Sequence, residues 1–179
     1  KSVKVLYEKG CDINRPVPDG IWESVQIARQ SDVVIACLGL SPQFEGEEGC
    51  GVDVELSGDR GDISMYQAQV ELIESLIKTG KPVIAVLLNG SAIAMPLLKE
   101  KASAIIVAWY PGEEGGTAIA DVLFGDYKPA GRLPVTFYTS LEQLPAFDDY
   151  QMKGRTHRYF DGQPLYGFGF GLSYTRFKY

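Results

Sequence analysis

Three short runs in which almost every residue is apolar constrain this chain more than anything else in it: "DVVIACLG" at 32–39, "PVIAVLL" at 82–88 and "AIIVA" at 104–108. A strand wetted on one face alternates apolar with polar residues, whereas continuous aliphatic runs of strand length belong to a sheet covered on both faces. Amphipathic stretches separate the runs, the alternation expected of βα units feeding a parallel sheet. The expected fold class is therefore α/β, a largely parallel sheet flanked by helices in a three-layer sandwich. Val3–Leu6 is a candidate for a short first strand. Asp19 is placed to cap a helix carrying Glu23 in its first turn, with Ile21, Val25 and Ala28 on one face. Tyr66, Val70, Ile73 and Ile77 form the stripe of a second helix that Gly80 can end. Ala92–Lys101 reads as a helix that Pro96 shortens or kinks, and Thr117–Phe124 as another that Gly125 stops. From Asp126 onward proline, glycine and aromatic residues dominate, so the irregular tail is expected to wrap the sheet, its aromatics serving as packing.

At 179 residues, with 45% of them hydrophobic, the chain matches one globular domain spanning 1–179. A net charge of −6 leaves no basic stripe for phosphates, which argues against nucleic acid or a membrane surface as a partner. Cys11, Cys37 and Cys50 show no CxxC spacing, so neither a disulfide framework nor a zinc site is implied, and Cys37 inside its apolar run reads as a core residue. The lone histidine, His157 in "RTHRY", reads as a surface residue on a polar strand or loop rather than as a nucleophile's base. The opening "KSVKVLYEKG" has neither the apolar core of an export signal nor a membrane span, which places any such signal upstream of Lys1.

Chemistry concentrates in "LSPQFEGEEGCGVDVELSGDR", a long acidic segment directly after the first buried run. Carboxyl ends of parallel strands are where α/β sheets bind ligands, and long loops there often carry function. Carboxylates beside an aromatic, Phe44, suit a sugar, because they accept hydroxyl hydrogens while the ring packs on the apolar face of a pyranose. The other reading of the same acids is plain solvated charge. No EF-hand spacing is present, so no metal is implied. A second candidate, "AWYPGEEGGTA" at 108–118, lacks the GK[ST] of a phosphate loop and the GxGxxG of a dinucleotide site, and Glu113 and Glu114 repel phosphate. Its glycines read as turn and close-packing residues. No cofactor is implied.

Taken together, "EKGCDI" (8–13), "SDVVIACLGLSPQFEGEE" (31–48), "GDR" (58–60), "KPVIAVLLNGSAIAMP" (81–96), "AWYPGEEGGTAIADVLFGDYKPAGRLPVTFY" (108–138) and "LYGFGFGLSYTRF" (165–177) resemble the C-terminal α/β sandwich domain of glycoside hydrolase family 3, the β-glucosidases and β-xylosidases. The resemblance runs nearly end to end. One departure is "SGDRGDISMYQAQ", where the family often has "GGDRTxxxLPxxQ". The resemblance implies a retaining exo-acting β-glycosidase whose aspartate nucleophile lies on an N-terminal barrel outside this chain. It further implies that the acidic segment here supplies the general acid/base glutamate, matched best by Glu45, then Glu47, then Glu48. Neighbouring negative charge in such a cluster is one way to keep a carboxyl protonated near neutrality. Phe44 and Gln43 are then candidates to line a leaving-group subsite. The implied partners are a β-linked oligosaccharide or glycoside and that barrel, the implied location is periplasmic or extracellular, and the isolated chain is expected to be inactive. The alternative is a non-catalytic module that binds a sugar or nucleotide at the mouth of the sheet.

Overall fold

The three apolar runs form three parallel strands in sequential order: β1 (Val34–Gly39), β2 (Val83–Leu88) and β3 (Ala104–Val107). The computed structural model describes residues 3–46, 60–175 and 178. Register pairs Ala36 with Ala85 and Leu38 with Leu87 on one side, and Ala85 with Ile105 and Leu87 with Val107 on the other. Because residues two apart share a face, these side chains make one continuous apolar surface.

Helix α1 (Gly20–Arg29) precedes β1, the single turn α2 (Pro42–Glu45) follows it, and α3 (Gln67–Ile77) leads to β2. Then come α4 (Pro96–Lys101) between β2 and β3, α5 (Gly115–Phe124), and the single turn α6 (Thr156–Tyr159) in the tail. A right-handed crossover repeated in one direction puts α3 and α4 on the same face. The core confirms it: Leu72, Ile73 and Leu76 of α3 and Leu98 of α4 pack with Ala36, Leu38, Ala85 and Leu87. Ala28 of α1 joins this cluster. The fold is an α/β one, a parallel sheet flanked by helices.

Several local expectations shift. Val3–Leu6 forms no strand: Val5 is 82% exposed, and an extended segment with no ladder partner gains nothing to offset its ordering. Cys37 is exposed rather than buried, because it alternates to the opposite face of β1 from Ala36 and Leu38, beside Ile35 at 46% exposure. The buried stripe of α3 is Ala68, Gln69, Leu72, Ile73 and Leu76, rotated from the expected one, with Val70 and Ile77 half-buried. Asp19 opens α1 through its carbonyl, which accepts the Glu23 N–H at 2.9 Å, while its side chain makes no cap bond. Pro96 shortens the helix expected over 92–101 by starting α4 rather than kinking it, since its missing N–H is no loss in a first turn. Gly80 and Gly125 stop their helices at φ 75 and 85°.

The tail divides. Phe137 and Leu165 are buried in the core, held by an antiparallel bridge in which Phe137 N–H donates to Tyr166 O at 2.8 Å and Tyr166 N–H to Phe137 O at 3.1 Å. Phe147 and Tyr150, at 85 and 90% exposure, pack on nothing comparable. His157 lies on α6, a helical turn rather than a strand or loop, and stacks on Phe168 at 4.2 Å between centroids.

Candidate functional site

The carboxyl ends of the three strands lie side by side, as parallel pairing requires, and the chain leaves each of them into a loop with polar groups. Beyond β1, Leu40 N–H still donates to Leu88 O at 2.7 Å, which keeps the start of the next segment against β2. Gly39 makes that approach feasible: its φ is 127°, and a Cβ there would sit 2.1 Å from Leu88 O. Gln69 locks the same corner from α3, accepting from Gly39 N–H at 2.8 Å and donating to Gly39 O and Ile13 O at 2.7 Å each.

Ser41 and Pro42 then start the turn of α2, with proline at its first position, and Glu45 closes it. The Glu45 carboxylate reaches across to the loops after β2 and β3. Its Oε1 accepts from Gly90 N–H at 3.0 Å and from the Ser91 hydroxyl at 2.5 Å. Its Oε2 accepts from the same Gly90 N–H at 2.8 Å and from the Tyr110 hydroxyl. A Cβ at position 90 would lie 2.6 Å from Glu45 Oε2 and 2.8 Å from the Tyr110 ring, so any side chain there must push the carboxylate and the phenol aside.

Tyr110 is aimed by an unusual backbone. Trp109 has φ 55°, a left-handed conformation that costs a bulky residue of the order of 1–3 kcal/mol. The bend sends the Trp109 ring to the core, edge-on to Phe137 at 6.2 Å, and leaves Tyr110 facing Glu45. Burial first, then the hydrogen bond to Glu45 and its negative charge, hold the Tyr110 phenol well above its usual range.

Around this cluster, Phe44 is half-buried and meets Tyr66 edge-on at 5.7 Å, and the Arg60 guanidinium lies 5.4 Å over the Tyr66 ring while donating to Ser64 O. Gln43 is exposed and accepts from the Ser41 hydroxyl at 2.9 Å. Phe44, Glu45, Arg60, Tyr66, Ser91 and Tyr110 thus share one mouth, the end of the sheet where sequence reasoning placed the site. Glu47 and Glu48 lie outside the described residues. Gly112, at φ 73°, and Gly115, whose Cβ would meet Pro111 at 2.4 Å, are the turn and close-packing glycines expected there, whereas Gly116 lies in α5 with open space around it; Glu113 and Glu114 are exposed.

Sequence reasoning did not single out Gly90, Ser91, Arg60, Tyr66 or Tyr110 as site residues. For three of them a signal was present: Gly90 and Ser91 in "NGSA" and Tyr110 in "AWY" immediately follow apolar runs, where ligand-facing groups of an α/β sheet collect. Arg60 ends the acidic segment in its "GDR" block, and Tyr66 carried no such signal.

The profile of the glycosyl hydrolase family 3 C-terminal domain matches residues 7–174. The chain is 48% identical over 169 residues to a xylan 1,4-beta-xylosidase of Xylanibacter ruminicola, covering 93% of this chain and 19% of that protein. It is 43% identical over 185 residues to a periplasmic beta-glucosidase of Salmonella typhimurium, covering 96% of this chain and 23% of the relative. Among solved structures, a family 3 exo-beta-xylosidase in complex with a xylobiose aziridine probe superposes with a TM-score of 0.81 at 31% identity, over 95% of this chain and 22% of that one. A β-glucosidase of Erythrobacter marinus superposes with a TM-score of 0.77 at 36% identity, over 97% and 26%. The chain therefore spans about a fifth to a quarter of the proteins it matches.

Proposed function

The chain belongs to glycosyl hydrolase family 3 as a C-terminal domain, and from that membership we propose that it is one part of a retaining exo-acting β-glycosidase, a β-glucosidase or β-xylosidase. In this reading the segment Glu45–Glu48 supplies the general acid/base, and an N-terminal barrel supplies the aspartate nucleophile. A retaining enzyme needs two carboxyl groups about 5–5.5 Å apart. One attacks the anomeric carbon while the other gives its proton to the departing oxygen. The second then takes a proton from the water that releases the sugar, so acid and base are restored over one cycle. Splitting the pair between two folding units makes activity depend on their docking.

The observation that carries the reading is convergence: the loops after all three strands meet at the root of the acidic segment, through Glu45, Gly90, Ser91 and Tyr110. The substrate is a β-linked glucoside or xyloside cleaved at its non-reducing end, with Phe44 and Gln43 on the leaving-group side. The periplasmic relative supports an exported protein, and no helix among the described residues is long and apolar enough to cross a membrane.

The test is kinetic. In the intact protein, replacing Glu45, Glu47 and Glu48 together by Gln should lower kcat/KM on phenyl β-xyloside or β-glucoside by at least about 100-fold, the usual size of an acid/base contribution. Unchanged rates on both would remove the acidic segment from the chemistry.

A further inference from the structure

A glutamate that hands its proton to a departing oxygen has to be held, because its side chain turns about several bonds and the transfer needs a heavy-atom separation of about 2.6–3.2 Å. Glu45 is held from the two other strand ends. Gly90 N–H donates to both of its oxygens, at 3.0 and 2.8 Å, and so fixes the plane of the carboxyl group. The Ser91 hydroxyl sits on Oε1 at 2.5 Å and the Tyr110 hydroxyl on Oε2. Both holders are themselves placed by the core. Asn89 is fully buried and its side-chain amide donates to Ser91 O at 2.6 Å, which ties the turn carrying Gly90 and Ser91 to the interior. Tyr110 follows Trp109, whose φ of 55° and edge-on packing against Phe137 set the direction of the phenol.

We propose that Tyr110 is a positioning residue for the acid/base, with Ser91 beside it: the two hydroxyls hold the Glu45 carboxyl group in one orientation through both of its protonation states. The inference rests on the reading that the acidic segment carries the acid/base, and it takes Glu45 as that group. A hydroxyl serves both as donor and as acceptor. While Glu45 is ionised, both hydroxyls donate to it. When Glu45 carries the proton, the hydroxyl facing the protonated oxygen turns to accept or yields its direction to the leaving oxygen, and the other hydroxyl keeps the plane with Gly90. Burial, before any other cause, holds the Tyr110 phenol protonated well past neutrality, so its hold persists over the range in which carboxyl groups change state.

The same bonds tie three loops together, and a tie that served stability alone would act on every substrate equally. Leaving groups separate the two roles. Phenoxide departs slowly without a proton, whereas 2,4-dinitrophenoxide departs readily without one. A misplaced acid therefore lowers kcat/KM on the phenyl glycoside selectively, while a loosened fold lowers it on both substrates alike.

The experiment measures kcat/KM of the intact protein and its Glu45→Gln, Tyr110→Phe, Ser91→Ala and Glu45→Gln/Tyr110→Phe variants on phenyl and 2,4-dinitrophenyl β-xyloside and β-glucoside. Expected in Glu45→Gln is a loss at least about 100-fold larger on the phenyl substrate. Tyr110→Phe should show the same selectivity at about 10-fold or more, the size of a misplaced rather than a missing group. The double variant should lose no more on the phenyl substrate than Glu45→Gln alone, because the phenol acts only through the carboxyl group. Equal losses on both substrates in Tyr110→Phe, or fully additive losses in the double variant, would reduce the contact to a structural tie and overturn the inference, with the proposed function left standing. If Glu45→Gln shows no selectivity, the inference falls. The variant with all three glutamates replaced then decides the proposed function, which stands on a loss with the phenyl substrate and falls on unchanged rates. Should Tyr110→Phe not fold, Ser91→Ala and its combination with Glu45→Gln carry the same comparison, with the same outcomes on each side.

Discussion

Tyr110 and Glu45 stand 65 residues apart in sequence, and the phenol hydroxyl of one donates to the carboxylate of the other across the ends of β1 and β3. That bond crosses the whole described sheet, so it reports on whether the three loops are held as a unit. Gly90 lies between the partners. We predict that Gly90→Ala, whose methyl would press on both, lowers activity of the intact protein more on a phenyl than on a dinitrophenyl substrate. Its stability should change little, since the crowded atoms are the movable ends of two side chains. Chemical denaturation beside steady-state rates checks this, and a large stability loss with full activity would count against a role for the Glu45–Tyr110 contact in activity.

Gly39 makes the opposite prediction. A methyl there would meet the Leu88 carbonyl, which is backbone in the middle of the sheet, at a φ of 127°. Gly39→Ala is expected to destabilise the fold by about 3 kcal/mol or more through strain and lost pairing. The urea midpoint measures it; a shift smaller than that of Gly80→Ala, where the added methyl meets open space, would contradict the account.

The tail tests whether it belongs to the core. Phe137 is fully buried, so Phe137→Ala should cost about 3–5 kcal/mol. Phe147 is 85% exposed, and Phe147→Ala should stay within about 0.5 kcal/mol of wild type in this chain. Comparable thermal shifts for the two would mean that the tail packs differently.

Alkaline pH addresses the Tyr110 environment. Its phenol is held above the ordinary value of 10.0, so the unfolded chain releases that proton first. The corresponding stability is complete below the unfolded value and is lost as pH rises through the folded one. Burial also raises the Cys11 and Tyr166 groups, so the wild-type decline is shared. Tyr110→Phe should flatten the part above about pH 10. Identical denaturation profiles for the two proteins would show that Tyr110 is not held in this environment.

The strands were legible because continuous aliphatic runs have few alternatives: Val83–Leu88 and Ala104–Val107 lie where the pattern put them. Faces were harder. Cys37 and Ala36 are both small and apolar, and only the register against Ala85 determines which one faces α3. Val3–Leu6 shows that strand composition without a partner makes no strand. At the site, the acidic segment announced itself by charge density, but Glu45's partners come from Ser91 and Tyr110, 46 and 65 residues away. Their role follows from parallel pairing, which periodicity cannot supply, and from a left-handed Trp109 that no propensity suggests.

The central claim is that the attacking group and the proton donor belong to different folding units. Turnover of 4-nitrophenyl β-xyloside and β-glucoside by the purified chain of residues 1–179, measured beside the intact protein, decides it. No hydrolysis above the buffer rate is expected from the chain alone, and turnover is expected from the intact protein. Clear turnover by the chain alone, abolished by substitutions within it, would contradict the claim.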